Sequence, residues 1–272
     1  MVKSLRDHPS GTPAEAELKS PRSNCSFWLS SVNHQFLQAM LKVYRNSAIF
    51  VILIMIGIQW GFYKNYTSEF PNFTDKTIII HVHGALLMMW LVLLIVQPLL
   101  IKTGRAQLHR TIGKVSYVLG PLIIIFLFLI GKGAYLRSVG KFPEHEILVP
   151  MVLDIRGFLS FAIFWALAMI YRKDSSSHMR YMIATGILAI GPGIGRGLIN
   201  SFGVGFGNAL TITDLIGLAI VGFLLSYDIY RKRNYKPFLV VFIVLLIGAL
   251  LWQVRDSDAW QSFARSYAAI FY

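Results

Sequence analysis

Residues 77–101 read TIIIHVHGALLMMWLVLLIVQPLLI, a stretch without any acidic, lysine or arginine side chain. An α-helix rises 1.5 Å per residue, so about 20 apolar residues cross the hydrocarbon core of a bilayer. The apolar residues run without the alternation typical of a membrane-barrel strand, and a helix satisfies its own backbone amides in lipid. This stretch therefore predicts a transmembrane helix.

Six further stretches are similarly apolar, and together the seven predict an all-α, polytopic transmembrane helix bundle. The predicted spans are residues 47–62, 77–101, 113–134, 148–171, 181–202, 210–230 and 237–252. The fifth span contains GPGIGRG at residues 191–197. Because glycine and proline are poor helix formers, we expect a kink or a local unwinding at that heptapeptide.

The composition also favours a membrane protein. The chain is 55% hydrophobic and only 14% charged, whereas about a quarter of the residues of a soluble domain are charged. The net charge of +13 comes from short clusters between the apolar stretches, so we expect the lipid bilayer as partner and no nucleic acid. Cys25 is the single cysteine, which excludes an intrachain disulfide and a thiolate metal cluster.

Lysine and arginine orient the predicted bundle. Seventeen of the 26 lie in segments that share one side of the membrane if the N-terminus is inside, and seven lie on the other side. Cytoplasmic segments carry an excess of these residues. We therefore predict a multi-pass protein of the cell (inner) membrane, with its N-terminus inside and its C-terminus outside. No apolar segment lies near Met1, so we expect no cleavable signal peptide and an uncleaved first span.

Two flanking segments carry apolar residues at helical spacing, which is typical of helices that lie along a membrane surface. Before the first span these residues are Trp28, Val32, Phe36, Met40 and Val43, and after the last they are Trp260, Phe263, Tyr267 and Ile270. The predicted domains are a cytoplasmic tail with an interfacial helix (1–46), a transmembrane domain (47–253) and an outer interfacial tail (254–272).

A first candidate site consists of polar residues inside the outer half of the spans. An ionisable group at bilayer depth is costly unless it is paired or faces water, so it marks a function or an ion pair. The outer polar site comprises His83, Asp154, Arg156, Arg196, Asn200 and Asp214. Helical phase predicts an interior lined by His83, Arg196, Asn200 and Asp214, with His83 as a candidate metal ligand. The alternative is that Arg196 pairs with Asp214 or Asp154 and only holds helices together.

A second candidate site lies at the inner ends of the third and fifth spans. His109 and Arg110 precede one span, and His178 and Arg180 open the other, so two His-Arg pairs share one depth. Imidazoles on adjacent helices can ligate haem b or a transition metal, and arginines can hold propionates or lipid phosphates. The alternative is that these residues are the ordinary basic ends of cytoplasmic helix termini.

These motifs carry a resemblance to a known family. The string RxxLHRxxG at residues 105–113 and the string HMRYM at residues 178–182 stand between His83 with Gln97 and a later Arg196. Over residues 77–200 this order resembles uncharacterised multi-pass bacterial membrane proteins grouped as a domain of unknown function. The resemblance implies no activity. It implies that the positions to test are His83, His109, Arg110, His178, Arg180 and Arg196.

The chain is more loosely similar to haem-b electron carriers of the inner membrane. That similarity implies an inner haem between His109 and His178. His83 lies roughly a bilayer away from both, so an outer haem would need His83 with His81 or His145.

Three functional classes follow from the sequence. The first is a haem- or metal-binding redox component with a redox partner, and the second is a transporter or small-molecule binder with a polar cavity in the outer half. The third is a membrane assembly factor without catalysis. The segment GPGIGRG lies inside a span and follows no strand, so we do not expect a phosphate-binding loop there.

Overall fold

A computed structural model describes residues 22–74 and 76–272, with side chains from Lys42 onward. Residues 1–21 of the predicted tail (1–46) and the side chains of Trp28, Val32, Phe36 and Met40 lie outside this description. The chain divides into two compact units, residues 1–42 and 43–272, and the bundle discussed below belongs to the second.

The described residues form eleven α-helices and no β-strand. These are α1 (Arg22–Tyr63), α2 (Ile78–Lys102), α3 (Ala106–Gly113), α4 (Ser116–Ser138), α5 (Glu144–Leu148), α6 (Met151–Ile170), α7 (Ser175–Ile187), α8 (Ile190–Phe202), α9 (Phe206–Tyr230), α10 (Lys236–Gln253) and α11 (Asp258–Phe271). Seven helical stretches are long and apolar enough to cross a membrane. They are Lys42–Tyr63, Ile78–Lys102, Ala106–Ser138, Glu144–Ile170, Ser175–Phe202, Phe206–Tyr230 and Lys236–Gln253. The prediction of an all-α bundle of seven spans is therefore confirmed.

The fifth span is broken, but not where the sequence predicted. The chain leaves the helix at Leu188 and Ala189, between α7 and α8, whereas residues 191–197 are helical. Pro192 falls in the first turn of α8, where a backbone N–H lacks a helical partner in any case. The proline therefore begins a helix here and does not unwind one.

The glycines of α8 serve close packing against α1. A Cβ atom on Gly61 would collide with the backbone of Gly193, and one on Gly197 would collide with the ring of Trp60. Gly57 and Gly61 are four residues apart, as are Gly193 and Gly197. Such a spacing of small residues lets two membrane helices approach closely, so the glycine pattern fixes α8 on α1.

Connections at one end of the bundle carry most of the Lys and Arg of the spans' termini. This basic end comprises residues 102–115, 171–180 and 231–236, and it joins α2 to α3, α6 to α7 and α9 to α10. The far end comprises residues 64–77, 139–150, 203–205 and 254–257. Asn234 donates to the hydroxyl of Ser177 at 3.0 Å and thereby links two of the basic-end connections.

Helix α11 packs on the far end, and the apolar residues of its predicted stripe are partly buried against the protein and partly exposed. Trp260 is buried, and its indole N–H donates to Leu148 O at 3.1 Å. Phe263 and Ile270 are 50% and 73% exposed. Trp260 and Ala264 pack in one cluster with residues of α5 and α6, so this part of the stripe is covered by protein. That α11 lies along the membrane surface stays a prediction.

Candidate functional site

A cavity of about 480 Å³ lies at the basic end of the described bundle. It is bounded by α1, α2, α3, α4, α6 and α7. Its apolar wall includes the buried Val51 and Leu94 together with Ile183. The predicted residues His109, Arg110 and His178 all line it. The two sequence motifs RxxLHRxxG and HMRYM therefore contribute to one cavity.

Four cationic side chains surround the opening of this cavity. They are Arg110, Lys114, Arg172 and Lys173, and each belongs to an exposed residue. No aspartate or glutamate lines the cavity, and none of the four forms an ion pair within the described part of the chain. Uncompensated positive charge beside an apolar wall is an arrangement that suits an anionic group attached to an apolar body.

His178 is held in one orientation at the start of α7. The Asp174 carboxylate caps this helix and accepts from Ser177 Oγ at 2.6 Å and from Ser176 N at 3.0 Å. The hydrogen bond from the Ser177 hydroxyl contributes most to lowering the pKa of Asp174 below its ordinary value. The backbone N–H groups of Ser176 and Ser177 lower it further. One turn later, His178 Nδ1 lies 2.8 Å from Ala168 O. A carbonyl oxygen only accepts, so Nδ1 donates and Nε2 of neutral His178 keeps a lone pair.

His109 is held by the side-chain amide of Gln97, which spans the turn between α2 and α3. With its nitrogen toward His109, the amide donates to His109 O at 3.1 Å and to His109 Nδ1, and its oxygen accepts from Gly113 N at 3.2 Å. The opposite orientation would place oxygen against a carbonyl oxygen. His109 Nδ1 also lies 3.4 Å from Gln97 O, which is too long to decide the position of the proton. In this orientation of the amide, His109 Nδ1 accepts from Gln97 and Nε2 carries the hydrogen.

Arg180 does not line the cavity, which departs from the predicted cofactor site. Its Nε and Nη2 donate to Asp228 Oδ2 at 2.7 Å and to Oδ1 at 2.9 Å, and the two side chains are only 7% and 4% exposed. Nη1 donates to Ser176 O at 2.9 Å. A buried guanidinium with a bidentate carboxylate is an internal ion pair, so Arg180 joins α7 to α9.

Asp228, Gln97, Lys114, Arg172 and Lys173 are the residues of this end that the predicted site omitted. Asp228 stands in the last turn of α9, beside a basic run, where a carboxylate looks like an ordinary boundary residue. The feature of the sequence that could have identified Asp228 is its spacing from Asp214, because residues 14 apart lie almost on one helix face.

A second ion pair lies at the far end. Arg156 donates to both carboxylate oxygens of Asp214 at 2.9 Å and to Gly248 O at 2.9 Å, so it joins α6, α9 and α10. The predicted alternative, that Arg196 pairs with Asp214 or Asp154, is wrong because Arg156 occupies both oxygens of Asp214.

Arg196 and Asn200 contact α1 and the loop after it. The Arg196 guanidinium lies 4.5 Å from the centre of the Phe62 ring, a cation–π contact. Asn200 donates to Gly61 O at 3.1 Å. Of the outer polar residues, Asn200 alone lines a shallower groove of about 410 Å³ beside Trp60 and Tyr63. Arg156 engages both carboxylate oxygens of Asp214, so Asp214 does not pair with Arg196 or Asn200. The predicted interior lined by His83, Arg196 and Asn200 stays a prediction.

His83 lacks the neighbours that a metal site needs. Among the described residues, no group of three or more His, Cys, Asp or Glu side chains is arranged to hold a metal ion. His83 Nδ1 is buried and without a partner in that part of the chain. His81 faces elsewhere and lies 2.7 Å from the Tyr66 hydroxyl, as expected for residues two apart on a helix.

Asp154 stands apart from the other charges of the far end. It packs against Gly131, where a Cβ atom would collide with the carboxylate, and the Tyr272 hydroxyl adjoins the same point. Burial raises the pKa of Tyr272, and the neighbouring Tyr267 and Asp154 raise it further. Asp154 forms no ion pair with any described residue.

The candidate site is defined by its geometry alone, because no relative of known function is found. Comparison with models of protein families, with curated proteins and with solved structures finds no match. The site is therefore defined here by the basic-end cavity, its four cations and its two histidines.

Proposed function

We propose that this integral membrane protein binds an anionic amphiphile in the basic-end cavity. The acid group of the ligand contacts Arg110, Lys114, Arg172 and Lys173, and its apolar body lies against Val51, Leu94 and Ile183. The observation that carries the proposal is a set of four cations that line an apolar cavity and have no acidic partner among the residues that the structure describes. Its volume falls within the range of small-molecule sites.

Orientation determines where this ligand comes from. The excess of Lys and Arg supports a cytoplasmic basic end, since cytoplasmic segments of inner-membrane proteins are enriched in these residues. Anionic lipids of that leaflet then face the cavity opening. Reporter fusions at residues 104 and 140 test this orientation, and activity of a periplasmic reporter at residue 104 would contradict it.

Native mass spectrometry of the protein, purified in a neutral detergent, tests the proposed ligand class. We compare Arg110→Gln/Arg172→Gln with the matched control Arg231→Gln/Arg233→Gln. The control also removes two positive charges from the basic end, but from residues that do not line the cavity. The wild type and the control are expected to retain added phosphatidylmethanol, an anionic lipid, over zwitterionic phosphatidylcholine. Equal loss of this preference in both double variants would show that general surface charge, and not the cavity, attracts the lipid.

A second candidate function is a haem-b redox component, again at this cavity. The observation that favours it is the contact between His178 Nδ1 and Ala168 O, because a backbone carbonyl on one imidazole nitrogen orients the other toward a metal. His178 would ligate the iron of such a group, and Arg110 and Arg172 would hold its propionates. Haem would supply one-electron transfer, while the chain binds the group and excludes water from it.

A visible spectrum and an iron determination on the purified protein test this second candidate. A Soret band that His178→Phe removes and His145→Phe retains would support it. A colourless protein without stoichiometric iron would remove it. The transporter and assembly classes have no supporting contact of their own among the described residues.

A further inference from the structure

His109 and His178 line one cavity with opposite hydrogen-bonding character. The amide of Gln97 occupies His109 Nδ1, so His109 offers Nε2–H as a donor. The carbonyl of Ala168 occupies His178 Nδ1, so His178 offers the Nε2 lone pair as an acceptor. Neither Nε2 atom has a hydrogen-bond partner within residues 42–74 and 76–272.

We propose that this pair selects, among anionic amphiphiles, those whose head group carries a hydroxyl beside the ionised acid. The inference rests on the proposed function, because it names the ligand class of the same cavity. The ionised oxygen accepts from His109 Nε2–H and from the cations, and the hydroxyl donates to His178 Nε2. A head group without a donor leaves the His178 lone pair unpaired in a partly desolvated cavity, which weakens binding.

Gln97 is then a positioning residue for this selection. Its amide donates to His109 Nδ1 and so opposes both the Nδ1–H tautomer and the imidazolium form. Without that amide, Nδ1–H can donate to Gln97 O, which lies 3.4 Å away, and Nε2 would present a lone pair to the anion. The substitution therefore reverses the hydrogen-bonding character of His109.

Two lipids of equal charge and equal chains test the selection. Phosphatidylglycerol carries hydroxyls next to its phosphate, whereas phosphatidylmethanol carries a methyl group. The purified full-length protein is titrated with each, with phosphatidylcholine as the neutral reference. We expect phosphatidylglycerol to bind about three- to tenfold more tightly than phosphatidylmethanol, the effect of one neutral hydrogen bond.

Substitutions of the two histidines are expected to act differently. His178→Phe should remove the difference between the two anionic lipids, because no lone pair is then left unpaired when phosphatidylmethanol binds. His109→Phe should weaken both lipids by about tenfold and preserve their ratio, because it removes a hydrogen bond to the charged group.

For Gln97, nitrogen-15 spectra of histidine-labelled protein report the tautomer directly. Gln97→Leu is expected to move the His109 ring from the Nε2–H to the Nδ1–H form and to weaken both lipids. The control Gln107→Leu changes an exposed residue of α3 that does not line the cavity and should do neither. An unchanged His109 ring in Gln97→Leu would overturn the positioning role.

The outcomes separate the two proposals. Equal affinity of the wild type for phosphatidylglycerol and phosphatidylmethanol, both above phosphatidylcholine, would overturn the head-group selection and keep the proposed function. Equal affinity for all three lipids would overturn the proposed function itself.

Discussion

Removal of one partner of the buried ion pair between Arg180 and Asp228 is predicted to destabilise the bundle severely. The two side chains make a bidentate contact at 2.7 and 2.9 Å and are almost wholly enclosed. Asp228→Ala leaves the guanidinium buried without a counter-charge, and breaking such a pair costs about 3–5 kcal/mol. Replacement of both partners, in Arg180→Met/Asp228→Leu, removes the charge together with its need for a partner. The double variant is therefore expected to be more stable than either single variant.

Equilibrium unfolding in mixed detergent micelles, followed by circular dichroism, measures these differences. The matched control is the contact between Arg265 and Glu144, which has the same bidentate geometry at 2.9 and 3.0 Å but side chains 58% and 59% exposed. Glu144→Ala should cause no resolvable change, since exposed pairs are screened by solvent. If Asp228→Ala is no more destabilising than Glu144→Ala, the burial argument is refuted. A double variant less stable than both single variants would refute it equally.

Three further predictions follow from other contacts. Gly193→Val should abolish correct packing of α8 on α1, because its Cβ would collide with Ile58, whereas Gly191→Val, which has open space, should leave the size-exclusion profile intact. Asp174→Ala should cost about 1 kcal/mol near neutral pH through the lost helix cap. Since the folded pKa of Asp174 is lowered, its stabilisation is present above about pH 4 and lost as the pH falls through the folded pKa, so unfolding curves of wild type and variant should converge in acid. Arg156→Leu should lower the thermal midpoint, and Arg156→Leu/Asp214→Leu should recover part of it, because the single change leaves the Asp214 carboxylate unpaired.

The spans could be predicted because their cause is local. Residues 77–101 contain enough consecutive apolar residues to cross a bilayer whatever lies beside them, and α2 covers almost the same range. The break in the fifth span was predicted for the same reason but was displaced. Helix propensity alone treats Gly193 and Gly197 as helix breakers. What requires glycine at both positions is the close approach of α1, through Ile58 and the Trp60 ring, and α1 lies elsewhere in the sequence.

The candidate site could be predicted in part, as far as a single helix determines it. His109 and His178 share a depth from span counting alone, and both line the cavity. The pairing of each aspartate with its arginine depends on how the helices are arranged around one another. The sequence alone does not give that arrangement. Arg156 and Arg196 were therefore equivalent candidates for Asp214, and Arg180 had no reason to be assigned to Asp228.

The location of a bound amphiphile tests the central claim most directly. An anionic phospholipid with a photoreactive group at mid-chain is incorporated with the protein into bilayers, irradiated, and its attachment sites are mapped by peptide mass spectrometry. We predict that attachment is concentrated at residues that line the cavity, with competition by unlabelled anionic lipid and not by phosphatidylcholine. These residues are Leu93, Leu94, Pro98, Ile101, Met179, Met182 and Ile183. Attachment spread over outward-facing side chains such as Phe223 and Leu215, without such competition, would contradict a ligand site at the basic end.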